Sequence, residues 1–312
     1  MKTPLIVALV LLAAGYGFGF ARAQRRASHQ QPGGHWMPSP HQMLVGLVTN
    51  FFDALGIGNF APTTAWFRAS RMVPDRLIPG TMNVGHTLPV MLMGLLFIQS
   101  VDIEPITLLS MIGASTGGAW LGAGWVSGMQ SKHVQIGMGA ALLVAALFLG
   151  GFQALGKPAG SDALSLGGIQ LGLACLGIAV LGALMTIGVG LYAPCMVLVS
   201  LLGMNPIAAF PIMMGSCAFL MPVASARFLR DRGCALRPSM GLTLGGIPGV
   251  LLAVLVVKSL PLDTLRWLVV LIVLWTAVSL LRTGFGDKPS ATPTEALAPG
   301  TPRKFPSGPE RL

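Results

Sequence analysis

The 312 residues are 53% hydrophobic and only 10% charged, a balance that excludes a water-soluble domain of this length. The net charge of +10 would suggest nucleic acid in a soluble protein; here the basic residues stand in short connections between long apolar runs, the pattern of cytoplasmic loops, and no nucleic-acid partner is expected. Of the four cysteines, Cys175, Cys195 and Cys217 lie in apolar runs and Cys234 in a basic connection, without a Cys-x-x-Cys pair, so they read as free thiols rather than a disulfide framework or a metal site.

In chain order, residues 1–23 combine Lys2, an apolar core and Ala21-Arg22-Ala23, which fits a cleaved signal peptide and a retained anchor helix alike. A polar linker, 24–40, follows. Cleavage, or an anchor with its N-terminus inside, would leave this linker outside, whereas Arg22, Arg25 and Arg26 outnumber Lys2 and pull it inside. Apolar runs near the ~20 residues that cross a bilayer occur at 3–20, 42–66, 78–99, 105–127, 134–153, 168–203, 206–226, 238–258 and 264–282. They group into a membrane unit over 41–153, a linker over 154–167 and a second unit over 168–283. The expected fold is an all-α polytopic membrane protein with about 8–10 crossings. Residues 284–312, rich in Pro, Ser, Thr and Lys, cannot bury enough apolar surface to fold and read as a disordered cytoplasmic tail.

Charge sets the expected topology. Arg68, Arg71 and Arg76 share one connection, Lys132 stands in another, and Arg227, Arg230, Arg232 and Arg237 in a third, while the 99–105 connection carries only Asp102 and Glu104. With 68–76 inside and 99–105 outside, the 227–237 loop is inside only if 168–203 crosses twice, turning near Gly188–Gly190. That turn inverts the second unit relative to the first.

The two units share a motif. Asp53-Ala54-Leu55-Gly56-Ile57-Gly58-Asn59-Phe60-Ala61-Pro62 matches Met185-Thr186-Ile187-Gly188-Val189-Gly190-Leu191-Tyr192-Ala193-Pro194, with Pro62 and Pro194 standing 132 residues apart. Pro74 falls on Pro206 and Pro79 on Pro211 at the same spacing, and Gly117-Gly118 recurs as Gly245-Gly246 at a slightly smaller one. Two homologous repeats with Gly/Pro-interrupted helices at corresponding positions point to a substrate site of the secondary-transporter kind. Each Gly costs a helix about 1 kcal/mol and the Pro removes a donor, so the helix should break inside the membrane. The N–H groups opened by a break carry partial positive charge, which favours an anion without a buried Arg or Lys.

The polar side chains near the breaks are Asn50, Asp53, Asn59, Thr63, Thr64, Asn83 and His86 in the first unit, and Thr186, Cys195 and Ser216 in the second. The backbone of Gly56, Gly58, Gly188 and Gly190, with Asn59, Thr63, Asn83, His86, Cys195 and Ser216, makes the candidate substrate site. Asp53, the one carboxylate well inside a core run, either couples transport to a proton or caps the broken helix. His86 either titrates or hydrogen-bonds a neighbouring helix. No Ser/His/Asp set, nucleotide loop or zinc motif occurs, so no enzyme activity is expected.

The block Asn50 to Thr64, Ile78-Pro79-Gly80-Thr81-Met82-Asn83-Val84-Gly85-His86-Thr87 and Gly118-Ala119-Trp120-Leu121-Gly122-Ala123 resembles the TauE/SafE sulfite exporter family of the toluene sulfonate uptake permease superfamily. The resemblance covers about 42–283 and is densest in the first unit. It implies a multi-pass protein of the bacterial inner (plasma) membrane that exports a small anionic substrate, sulfite-like, sulfonate-like or another organic anion, with no cofactor. Asp53 and Asn59 depart from the glycine-rich run of many members. The alternative from another class is a membrane assembly or sensor protein whose breaks serve packing only.

Overall fold

The computed structural model describes residues 2–30, 37–126, 131–155, 162–185, 191–259 and 261–285, and the regular elements among them are all helical. They are α1 (Lys2–Gln30), α2 (Pro40–Ala54), α3 (Phe60–Ala69), α4 (Ile78–Ser100), α5 (Pro105–Val126), α6 (Ser131–Ala154), α7 (Gly168–Met185), α8 (Tyr192–Leu201), α9 (Ala209–Arg230), α10 (Leu236–Ser259) and α11 (Leu262–Phe285). Six segments are long and apolar enough to cross a membrane. Large apolar side chains also point outward, with Trp120 81% and Ile169 83% exposed, a surface that water would not tolerate and lipid solvates. The chain is thus a multi-pass membrane protein.

Element order is the same in both halves. A first helix (α2, α7), a ten-residue helix (α3, α8), a 3-10 turn (Asp75–Leu77, Pro206–Ala208) and three long helices follow in turn. Packing is reciprocal: α2 of the first half lies along α10 of the second, and α7 of the second along α5 of the first. Glycine makes both contacts possible. A Cβ at Gly245 would stand 1.8 Å from the Met43 carbonyl oxygen of α2, and one at Gly118 would stand 2.0 Å from that of Ala179 in α7.

The path of α2 differs from the single crossing expected over 42–66. Ser39 and Gln42 close a capping box at the start of α2. After Ala54 the chain turns through Gly56 (φ 96°) and Gly58 (φ 90°), a region open to glycine and costly for L-residues, and α3 runs back beside α2. The Trp66 indole N–H near the end of α3 donates to His41 Nε2 at the start of α2 (2.9 Å), and Phe67 packs with Val45. Residues 40–69 therefore form a hairpin that enters and leaves by one face. Fifteen residues reach only about 22 Å and ten about 15 Å, too short for a ~30 Å core. The doubling back leaves Met37 at the same end as Arg71 and the 231–237 loop: Arg237 Nε donates to the Met37 carbonyl, and Ala235 N–H to Thr81 Oγ1 at the start of α4.

Residues 168–203 behave in the same way from the opposite face. Asn205 N–H, just past α8, donates to the carbonyl of Ala163, just before α7 (2.8 Å), and Thr107 Oγ1, at the start of α5, hydrogen-bonds Leu166. Both ends thus lie beside the acidic 101–104 connection, as the charge argument required. The turn at Gly188–Gly190, with Thr186, lies outside the described residues. Against the eight to ten crossings expected, six segments among the described residues have the length and apolarity of a span: Thr3–Ala27, Ile78–Ser100, Gly168–Met185, Pro206–Arg230, Leu236–Val256 and Trp267–Phe285.

The first helix packs into the bundle. Leu9 is buried in the core, Tyr16 Oη donates to the Val84 carbonyl (2.9 Å), and Gln24 Nε2 donates to the Leu236 carbonyl (2.7 Å). Gln24 therefore sits at the basic end, and Arg22, Arg25 and Arg26 join Arg68, Arg71, Arg76, Arg227, Arg230, Arg232 and Arg237 on one side, in accord with the charge of this segment. On the other side Glu104 caps α5, accepting from the N–H groups of Ile106 and Thr107 and from the Thr107 hydroxyl. These bonds hold its carboxyl below the usual range.

Candidate functional site

The tip of the first hairpin packs against the start of α8 in the buried core. Gly56, in the first tip, is overlaid by the Met196 side chain of α8, and Ala54, Leu55, Leu191, Ala193, Cys195 and Met196 share one buried cluster. α3 begins with Asn59 as N-cap, yet the Asn59 side chain makes no cap bond of its own. It turns instead to Asp53, with Nδ2 donating to Asp53 Oδ2 at 2.9 Å. Asp53 is thus tied to the N-cap residue of α3, a short acid near a helix start where the dipole favours it. From the second hairpin the Tyr192 hydroxyl faces this carboxyl, and Cys217 of α9 lies beside both. Asp53 is 2% exposed, Asn59 2% and Cys217 4%. No Lys, Arg or His is within ion-pair distance of Asp53 among the described residues.

One layer toward the basic face, His86 of α4 is clamped between the arms of the first hairpin. Its Nδ1 shares a hydrogen bond with the Asn50 amide (2.9 Å) and its Nε2 with Thr63 Oγ1 (3.1 Å), all three residues being fully buried. His86 therefore follows the hydrogen-bonding alternative and fixes the hairpin to α4. Asn50 also donates to the Gly46 carbonyl, so the amide is fully engaged.

Among the expected site residues, Asp53, Gly56, Gly58, Asn59, Thr63 and His86 come together in the first hairpin and its clamp, and Cys195 lies buried at the start of α8. Two others stand apart. Asn83 donates to the Pro79 carbonyl and Ser216 to the Ile212 carbonyl of their own helices, as short polar side chains in apolar spans do, so neither points into the meeting point. Gly188 and Gly190 lie outside the described residues. Sequence reasoning missed Tyr192. It occupies the position of Phe60 in the matched motif, and its hydroxyl is the one chemical difference there, a signal that was present but easily read as one more apolar ring. The second hairpin supplies sulfur rather than charge: Cys217 Sγ lies 4.0 Å from Met185 Sδ, and Met185 is the counterpart of Asp53.

In each short helix the first intrahelical bond is the ordinary one to the cap carbonyl, Thr63 N–H to Asn59 and Cys195 N–H to Leu191. The earlier N–H groups, of Phe60, Ala61, Tyr192 and Ala193, have no acceptor within their own helix, and Pro62 and Pro194 have none to offer. The Asn59 amide of the first hairpin and the Tyr192 hydroxyl of α8 thus face one buried carboxyl. No family model, curated protein or solved structure matches this chain.

Proposed function

We propose that this protein is a secondary transporter that carries a small anion through the meeting point of the two hairpins. The observation that carries this reading is the pair of opposed segments, 40–69 with both ends at the basic face and 162–205 with both ends at the acidic face, the first turning at Gly56 against Met196 of α8. Moving one tip at a time gives a central site access to one face and then the other, which is what alternating access needs. A protein that used its breaks for packing alone would have no reason to place a carboxylate, an amide and a hydroxyl where they meet, since each buried polar group has to be matched by a partner.

The anion's chemistry follows from helix ends rather than cations. The first-turn N–H groups of α3 and α8 provide partial positive charge, and the Tyr192 hydroxyl and the Asn59 amide provide neutral donors, a set that holds an oxyanion without the cost of a buried Arg. Moderate affinity suits release. The resemblance to TauE/SafE exporters supports sulfite, a sulfonate or another organic anion as substrate, export as the direction and the bacterial inner membrane as the location. The shared order of elements and the reciprocal α2/α10 and α7/α5 packing support a duplicated, inverted origin of the halves.

The test is uptake of labelled sulfite, sulfate and a small organosulfonate into vesicles containing the full chain. Saturable uptake of at least one, above empty vesicles, is expected. Absence of flux for all three would sink the anion assignment and favour the assembly or sensor reading.

A further inference from the structure

We infer that Asp53 gates the transporter proposed above by occupying, in its ionised form, the seat that the substrate anion needs, so that each anion moves together with one proton. This rests on the transporter reading and adds the coupling ion and its stoichiometry. Two groups are turned on the one carboxyl: the Asn59 side-chain amide, which donates to Asp53 Oδ2 at 2.9 Å, and the Tyr192 hydroxyl of α8 beside it. These are the groups that an oxyanion at the tips would use. The protein's own carboxylate therefore fills the place of the ligand, and the resting site is self-inhibited.

The surroundings decide what relieves the inhibition. The groups that face Asp53 are Asn59, Tyr192 of α8 and Cys217 of α9, while Met196 of α8 and Ile272 of α11 lie close against Gly56. None carries a fixed positive charge. His86 of α4 is held on both ring nitrogens by Asn50 and Thr63. A second anion beside an ionised Asp53 would meet like charge in a low-dielectric site with nothing to offset it. A sodium ion does not fit the arrangement, because N–H and O–H donors, not oxygen lone pairs, converge on the carboxyl. A proton does. It binds one Asp53 oxygen, turns that oxygen into an O–H donor and releases the Asn59 amide to the anion. On the far side the anion and the proton leave together, and the ionised carboxyl takes back the Asn59 amide. The charge balance is one proton per anion, electroneutral for a monoanion.

The experiment uses the full-length protein in liposomes loaded with a pH-sensitive dye, with an inward gradient of methanesulfonate. This anion stays ionised at every pH used, so it cannot bring the proton itself. Methanesulfonate entry is expected to acidify the lumen with one proton per anion, and exchange should fall about tenfold per pH unit once Asp53 is ionised on both sides. In Asp53→Asn the coupled proton movement should disappear and the pH profile flatten, because an amide keeps hydrogen bonding but carries no proton. The parent protein decides alone if the variant does not fold: methanesulfonate flux without proton movement overturns the coupling and leaves the transporter standing. Proton movement retained in a folded Asp53→Asn moves the coupling to another residue and overturns the assignment to Asp53. Absence of methanesulfonate flux overturns the coupling together with the sulfonate assignment, and sulfite uptake then reports separately on the transporter reading.

Discussion

Gly245→Leu is expected to lower the thermal midpoint of the protein in detergent by many degrees and to remove transport with it. In the native bundle α2 and α10 touch backbone to backbone. A Cβ at Gly245 would stand 1.8 Å from the Met43 carbonyl oxygen, one at Gly249 would stand 2.2 Å from that of Leu47, and one at Gly46 would stand 2.6 Å from that of Leu242. None of these neighbours is a side chain that can rotate aside, so a leucine forces the helices apart. Overpacking in a core costs roughly 1–3 kcal/mol when side chains can yield, and more when backbone must move. In lipid this penalty is not recovered elsewhere, because helix association there depends on close packing rather than on a hydrophobic drive. The outer arm of the first hairpin would lose its support along α10. Gly113→Ala is the control: its Cβ meets nothing within 4 Å, and the change should be neutral or stabilise by up to about 1 kcal/mol through helix propensity. A parent-like midpoint for Gly245→Leu would show that the two helices do not lie this close.

Gly58→Leu is expected to abolish anion flux at matched protein levels in the membrane. Its neighbourhood is open, since a Cβ at this position would meet nothing within 4 Å, so the effect does not come from a clash in the resting state. Backbone conformation is the first cause: φ is 90° at Gly58 and 96° at Gly56, and an L-residue there costs about 1–2 kcal/mol and pulls the tip toward another turn. Bulk at the tip is the second, since a leucine would fill the space through which an anion approaches the start of α3. Gly58→Ala separates the two. It carries the conformational penalty with little bulk and should retain partial flux. If Gly58→Leu transports like the parent, the site lies elsewhere.

Much of the fold was legible in the sequence because lipid leaves few choices. Apolar runs had to be helices, basic connections had to share a face, and Gly-x-Gly followed by Ala-Pro had to interrupt whatever helix contained it. The direction of the chain after the first break was not legible. An apolar 42–66 run suits one kinked crossing and a hairpin equally, since both arms are buried in either case. What decides between them is tertiary: Trp66 on His41, Phe67 on Val45, and glycines of α10 that admit the outer arm. The same ambiguity hid the clamp. In a continuous helix Asn50 and Thr63 would stand about 20 Å apart, and no single histidine could reach both. Only the hairpin brings them to the two nitrogens of His86. The link between Asp53 and Asn59 was closer to the surface of the sequence, because a short acid before a broken helix suggests a cap, whereas Tyr192 became visible only once the start of α8 was seen to face the first tip.

The opposed hairpins are tested most directly by the sidedness of single cysteines in a cysteine-free background, since Cys234 lies at the basic face. Cysteines at Met37, Arg71 and Arg230 should react with a membrane-impermeant maleimide from one side only, and cysteines at Asp102, Ser165 and Leu202 from the other side only. Met37 and Arg71 carry the decision for the first hairpin, and Ser165 and Leu202 for the second. Labelling of either pair from opposite sides would mean that the segment crosses the membrane, and would contradict the opposed arrangement on which the site depends.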